Sequence, residues 1–146
     1  KLEEIKKRAK KAGYFNIRCL VWNGEILPQF SKEILNRQGF DCVLIDAPCS
    51  SSGTWRRNPE AKWRLKESDV SELLIKQREI LEASYSMVKS GGQLIYATCS
   101  LFEEENDDQI NLFLKNHPEF DKGETLKLSP LKSKTDGFFA QVLIRK

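Results

Sequence analysis

Two short, almost continuous apolar runs constrain this chain most: FDCVLID at residues 40–46 and QLIYAT at 93–98. Runs of this length, bounded by turn-forming residues, are strands buried inside a sheet. Between them, residues 69–89 carry Val70, Leu73, Leu74, Ile80, Leu81, Tyr85 and Val88 at mostly helical spacing. Asp69 and Glu72 have capping-box spacing at the start of that helix, and Gly91-Gly92 is expected to stop it. Strand, helix and strand in succession predict an α/β sheet covered on both faces.

The rest of the chain fits the same alternation. Residues 1–12 read as a helix with Leu2, Ile5 and Ala9 on one face, closed by Gly13. A short strand is expected at 17–22 (IRCLVW) and a short helix at 28–38, on Phe30, Ile34 and Leu35. A helix at 103–115 holds its acidic residues in the first turns, where the helix dipole favours them. Asn116-His117-Pro118 ends it, so His117 reads as a helix-end residue. A weak strand near 124–129 and an apolar strand at 137–144 close the chain. No repeat, low-complexity tract or linker divides its 146 residues, which suit one domain or a large piece of one.

Several function classes drop out early. No apolar run approaches the length of a membrane span, and the first residues are charged, so a cytoplasmic location is the expectation. The four cysteines, Cys19, Cys42, Cys49 and Cys99, include no C-x-x-C pair, and the single histidine lies far from them in sequence. No metal site is therefore expected, nor a disulfide framework. The net charge of +3 does not identify a nucleic-acid binder. Its distribution says more, because Arg56, Arg57, Lys62, Arg64 and Lys66 cluster against Glu60 alone. A charge run is more often a solvated face than a binding site.

In α/β sheets ligands sit beyond the carboxyl ends of the strands. Here strand 40–46 runs into Asp46-Ala47-Pro48-Cys49-Ser50, and strand 93–98 runs into Thr98-Cys99-Ser100. If the strands are parallel neighbours, both cysteines project into one crevice. A thiolate is strongly nucleophilic near neutral pH and suits covalent attack on an aromatic ring. Each cysteine taken alone reads as a small buried hydrophobe. The pair at equivalent strand ends, beside Asp, Pro, Ser and Gly, reads as a site. Pro48 fixes the backbone before Cys49, and Gly53 is expected to permit close approach by a substrate. Residues 47–66 form an irregular stretch too long to be a mere connection.

These residues carry a family resemblance. Asp46-Ala47-Pro48-Cys49-Ser50-Ser51-Ser52-Gly53 resembles motif IV of the Nol/Nop/Sun family of RNA cytosine-C5 methyltransferases, and Thr98-Cys99-Ser100 resembles its motif VI. Glu104-Glu105-Asn106, Arg57-Asn58-Pro59-Glu60 with Lys62-Trp63, and Asp136-Gly137-Phe138-Phe139 resemble further family segments. The likeness runs from about residue 1 to the end, and the bacterial Sun/Fmu-type ribosomal RNA enzymes are the family members it resembles.

The resemblance implies a Rossmann-like class I methyltransferase fold, here truncated and lacking the first two strands of the sheet. Residues 1–146 would form the C-terminal portion of one such domain. It also implies roles. Cys99 would attack C6 of a cytosine in RNA, and Cys49 would assist proton removal and release. Asp46 would hold the base, and S-adenosylmethionine would be the methyl donor, with Asn23, Asp46 and Pro48 at its site. Arg56, Arg57 and Lys62 would meet RNA phosphates, and Trp55 or Trp63 could stack a base or simply pack under the loop. The family's Gly-rich cofactor loop and the acidic residue of its second strand do not occur here. Where the family has Asp before Gly, this chain has Asn23-Gly24. Cofactor binding by this chain alone is thus expected to be weak, and the unpaired sheet edge invites self-association. Three alternatives stand beside this reading: a catalytically dead RNA-binding module, transfer RNA in place of ribosomal RNA as substrate, and a cysteine hydrolase, for which only His117 could serve as base.

Overall fold

The computed structural model describes residues 2–22 and 39–146. The chain builds a four-stranded mixed sheet from β1 (Phe40–Asp46), β2 (Val88–Thr98), β3 (Phe120–Leu128) and β4 (Phe138–Arg145). Their spatial order is β1-β2-β4-β3, with β1 and β2 parallel and the other two pairings antiparallel. The helices are α1 (Leu2–Lys11), α2 (Pro59–Arg64), α3 (Glu67–Ser84), α4 (Asp107–Asn116) and the single turn α5 (Pro130–Ser133). None of the described helices is long and apolar enough to cross a membrane.

The parallel pair forms because α3 supplies the crossover that two parallel strands require. Its Leu81 and the α4 residues Ile110 and Phe113 pack on Ile45, Leu94, Tyr96, Phe139 and Leu143. Register places these strand residues on one face, since Ile45 lies beside Tyr96 and Leu94 beside Leu143. The opposite face carries Leu44, Leu126 and Ile144, which are exposed. The sheet is expected to be covered on both faces; among the described residues α3 and α4 cover one, because both helices that follow β1 and β2 pack on the same side.

Other boundaries move for local reasons. No strand forms at 17–22, and Phe15 and Val21 beside and within it are exposed. An apolar run becomes a strand only when a neighbour completes its ladder. The helix expected at 28–38 lies outside the described residues. Helix α3 begins at Glu67, where the Asp69 carboxylate accepts the Lys66 N–H at 3.0 Å, so Asp69 is the third helical residue rather than the cap. It ends at Ser84 in a 3₁₀ turn, well before Gly91-Gly92. Those glycines lie in β2 at a register shift against β1. Gly91 takes a positive φ of 74°, and a Cβ on Gly92 would sit 2.9 Å from the Lys89 carbonyl oxygen. Helix α4 starts at Asp107, leaving 103–106 as turns, and β3 begins at Phe120 rather than 124.

Candidate active site

Strands β1 and β2 end side by side, and the ladder continues one step further as the Ala47 N–H donates to the Ala97 carbonyl at 2.9 Å. Beyond that step both chains turn, and the half-buried thiols of Cys49 and Cys99 meet with their sulfurs 3.5 Å apart. The crevice expected from the parallel strands is thus real. Ser51 adopts left-handed backbone, with φ 57°, and its Oγ lies 3.4 Å from the Cys99 sulfur.

Serine hydroxyls knit the two loops together behind the thiols. Ser100 Oγ lies 3.2 Å from Ser50 Oγ and 3.0 Å from Ser52 Oγ, while Ser52 Oγ accepts the Leu101 N–H at 2.8 Å. The Gly53 N–H donates to the Cys99 carbonyl at 2.9 Å. Gly53 is buried against a third loop, and a Cβ there would fall 2.5 Å from the Gly137 carbonyl oxygen and 2.8 Å from that of Cys99. The close approach that Gly53 permits is therefore of backbone to backbone, not of substrate.

A buried acid completes this framework. Glu105 accepts from the Ser50 N–H at 2.8 Å, the Ser50 hydroxyl at 2.5 Å and the Gln77 amide at 3.0 Å. Next to it Asn106 accepts from the Thr98 hydroxyl at 2.6 Å and donates to the Ser100 carbonyl at 3.0 Å. Sequence reasoning missed Glu105, Gln77 and the serines as site residues. The sequence places Glu105 in the first turns of a helix and in a family-like acidic segment, and only its buried partners reveal its place behind the thiols.

Burial also bears on the chemistry of Cys49. Burial pushes the Cys49 thiol up to about 12; the Ser51 backbone N–H opposes the rise and the neighbouring Cys99 adds to it. Cys49 therefore stays protonated at neutral pH. Cys42 lies exposed within β1, and the sulfur that Cys49 meets is that of Cys99.

The remaining expected residues divide. Asp46 ends β1 exposed, on the face of Leu44, and its side chain has no hydrogen bond or ion pair among the described residues. Pro48 is exposed, its carbonyl accepting the Gln77 amide at 2.9 Å. Asn23 lies outside the described residues. Arg56 and Arg57 are exposed and both pair with Asp136, Arg56 at 3.4 Å. Trp63 is 82% exposed, with the Lys62 ammonium 5.8 Å from its ring centre. Trp55 instead packs edge-on against Phe102, so it belongs under the loop. A groove beside Cys49 is walled by Ala61, Arg64, Leu65, Asp69 and Leu73. His117 is buried between Glu82 and Glu119 and stacked on Phe113, a packed helix end. No group of side chains arranged to hold a metal occurs among the described residues.

Comparison with known proteins decides the family. The family model for the 16S rRNA methyltransferase RsmB/F matches residues 1–144. The chain belongs to this family. Ribosomal RNA small subunit methyltransferase B of Yersinia enterocolitica is 44% identical over 116 residues, covering 75% of this chain and 27% of that protein. The Yersinia pestis protein of the same name is 45% identical over the same length. The chain thus matches about a quarter of the length of these RsmB relatives. Among solved structures, PH0851 superposes with a TM-score of 0.85 at 38% identity, over 97% of this chain and 34% of that one. NSun6 from Pyrococcus horikoshii, solved with SFG, gives 0.79 at 21% identity over 99% and 38%, a likeness of fold. The expected Nol/Nop/Sun resemblance and methyltransferase-like α/β fold both hold.

Proposed function

We propose that this chain carries the base-side part of an S-adenosylmethionine-dependent RNA cytosine-C5 methyltransferase acting on small-subunit ribosomal RNA. The observation that carries the reading is the contact of Cys49 and Cys99 at 3.5 Å, at the ends of adjacent parallel strands. The names of the RsmB relatives support ribosomal RNA as the substrate class.

The chemistry follows from two thiols in contact, one of them, Cys49, held protonated by burial. The Cys99 sulfur adds to C6 of the cytosine, and the ring electrons make C5 nucleophilic enough to take a methyl group. S-adenosylmethionine, when bound, supplies that methyl group. Asp46, exposed and unpartnered at the end of β1, fits a ligand with hydrogen-bond donors, and Pro48 lends surface beside it. The same Asp46 carboxylate can accept from the cytosine amino edge. Once C5 is methylated, its proton must leave as the bond from C6 to sulfur breaks. Cys49 starts as a thiol, so it gives its proton to the departing Cys99 sulfur and takes the C5 proton in exchange. Arg56, Arg57, Lys62 and Trp63 offer exposed charge and a ring face to the RNA.

The test uses the enzyme in its complete form. Cys49→Ala should accumulate a covalent RNA adduct on denaturing gels, and Cys99→Ala should not. An adduct confined to the Cys99 variant reverses the assignment. Bisulfite sequencing of cellular RNA, with and without the gene, identifies the target cytosine and separates ribosomal from transfer RNA.

A further inference from the structure

We infer that Glu105 is a positioning residue, whose buried carboxylate sets the Cys49 sulfur against that of Cys99 by holding the residues on either side of Cys49. The inference rests on the reading of Cys49 and Cys99 as the working thiols.

Glu105 is fully buried, and among the described residues no basic side chain pairs with it. A buried carboxylate is costly unless its oxygens are satisfied by donors. Here three donors converge: the Ser50 N–H and Oγ–H, and one hydrogen of the Gln77 amide. The same Gln77 nitrogen donates to the Pro48 carbonyl at 2.9 Å. Pro48 and Ser50, the two neighbours of Cys49, are thereby fixed by one bonded unit. The other end of that unit reaches the Cys99 loop. The Glu105 carbonyl accepts the Tyr96 hydroxyl at 2.8 Å, and the adjacent Asn106 binds Thr98 and Ser100, the two neighbours of Cys99.

The type of side chain matters. A carboxylate offers acceptors only, which matches three donors. An amide of the same shape would set its NH₂ against one of them. The cluster meets the core at Tyr96 and Ile110, while its carboxylate and amide side chains bond the two loops.

The experiment reads thiol placement directly. The chain, with Cys19 and Cys42 replaced by serine, is equilibrated with reduced and oxidised glutathione. Cys49 and Cys99 lose two protons and two electrons as they form a disulfide, while oxidised glutathione is reduced to two thiols. The equilibrium ratio gives the effective concentration of one thiol at the other. Glu105→Gln should lower it by at least about tenfold, since small misplacements cost large factors in proximity. Ser50→Ala removes the hydroxyl's bonds to Glu105, Ser100 Oγ and the Ser52 N–H but keeps the Ser50 N–H on Glu105, and should lower it less. Leu143→Val, in the sheet core beside Leu94, measures the effect of lost stability alone and should leave it unchanged. A folded Glu105→Gln within about twofold of the parent overturns the proposal. If that variant does not fold, Ser50→Ala decides, and an unchanged value overturns the proposal equally. The measurement needs neither RNA nor methyl donor, so its failure is distinct from a failure of the adduct experiment.

Discussion

The thiol centre and the basic segment are neighbours in the chain, at residues 49–53 and 56–64, yet they are built in opposite ways. Around Cys49 and Cys99, the side chains of Ser50, Ser52, Ser100, Glu105 and Asn106 are buried and bonded to one another across loops far apart in sequence. Arg56, Arg57, Lys62 and Trp63 stand in solvent, on a turn and a six-residue helix held by local bonds and by ion pairs to Asp136. The difference follows from what each region would do. A sulfur that must reach one carbon of a ring has to be placed closely. A cation that meets a phosphate needs charge more than position. Substitutions in the first region should therefore cost stability and geometry together, and substitutions in the second should cost neither.

The largest effect is expected at Gly53. Gly53→Ala drives a Cβ into the Gly137 and Cys99 carbonyl oxygens, both backbone atoms with little room to yield. Overpacking of this kind should cost about 3 kcal/mol, read from the shift of the urea unfolding midpoint at constant slope. A loss under about 1 kcal/mol would mean that the three loops are not a tight seam. Ser52→Ala comes next. It removes the acceptor of the Leu101 N–H and a partner of Ser100 Oγ, for an expected loss of about 1–2 kcal/mol in the same assay.

A pH measurement probes the same centre without altering its packing much. The Cys49 thiol rises from the ordinary 9.0 to about 12 in the fold, chiefly through burial. Between those values the unfolded chain releases the proton and the folded chain keeps it. The folded state then binds more protons, so stability falls as pH climbs through this window. Tyr96, raised above its ordinary 10.0 by burial, steepens the same limb but begins later. Cys49→Ser should flatten the decline from about pH 9 onward, and Arg57→Ala should leave it unchanged. An identical alkaline limb in parent and Cys49→Ser would show that the thiol is not shielded from water.

The same contrast explains what could be read from sequence. Strands 40–46 and 93–98 were legible because continuous apolar runs have few alternatives, and the pairing of Cys49 with Cys99 followed from their places at the strand ends. The basic segment was legible as charge because its cations stand exposed, with no burial to hide them. Glu105 was not, because an acidic stretch before a helix looks the same whether it meets water or a buried hydroxyl. Its burial is decided by Ser50 and Gln77, 55 and 28 residues away. Gly91-Gly92 failed for a related reason: a helix stop and a strand irregularity ask the same freedom of a glycine. Residues 17–22 had the composition of a strand but run as irregular backbone.

The smallest effect on the fold is expected from the basic segment, and it sharpens the comparison most. Arg57 is mostly exposed, and its pair with Asp136 competes with water and salt. Arg57→Ala should shift stability by no more than about 0.5 kcal/mol, as should Lys62→Ala on α2. RNA binding should respond differently. Each cation that meets a phosphate releases a bound counterion, so removing one should reduce the slope of log affinity against log salt by about 0.7 for single-stranded RNA. The loss should be similar across RNA sequences, because a phosphate contact carries no base information. Asp136→Asn gives the opposing arm: with the carboxylate charge gone, Arg56 and Arg57 are freed and affinity at low salt should rise. A stability loss of several kcal/mol in Arg57→Ala, or an unchanged salt slope in both lysine and arginine variants, would mean that the segment is part of the loop scaffold and that its charge faces no phosphate.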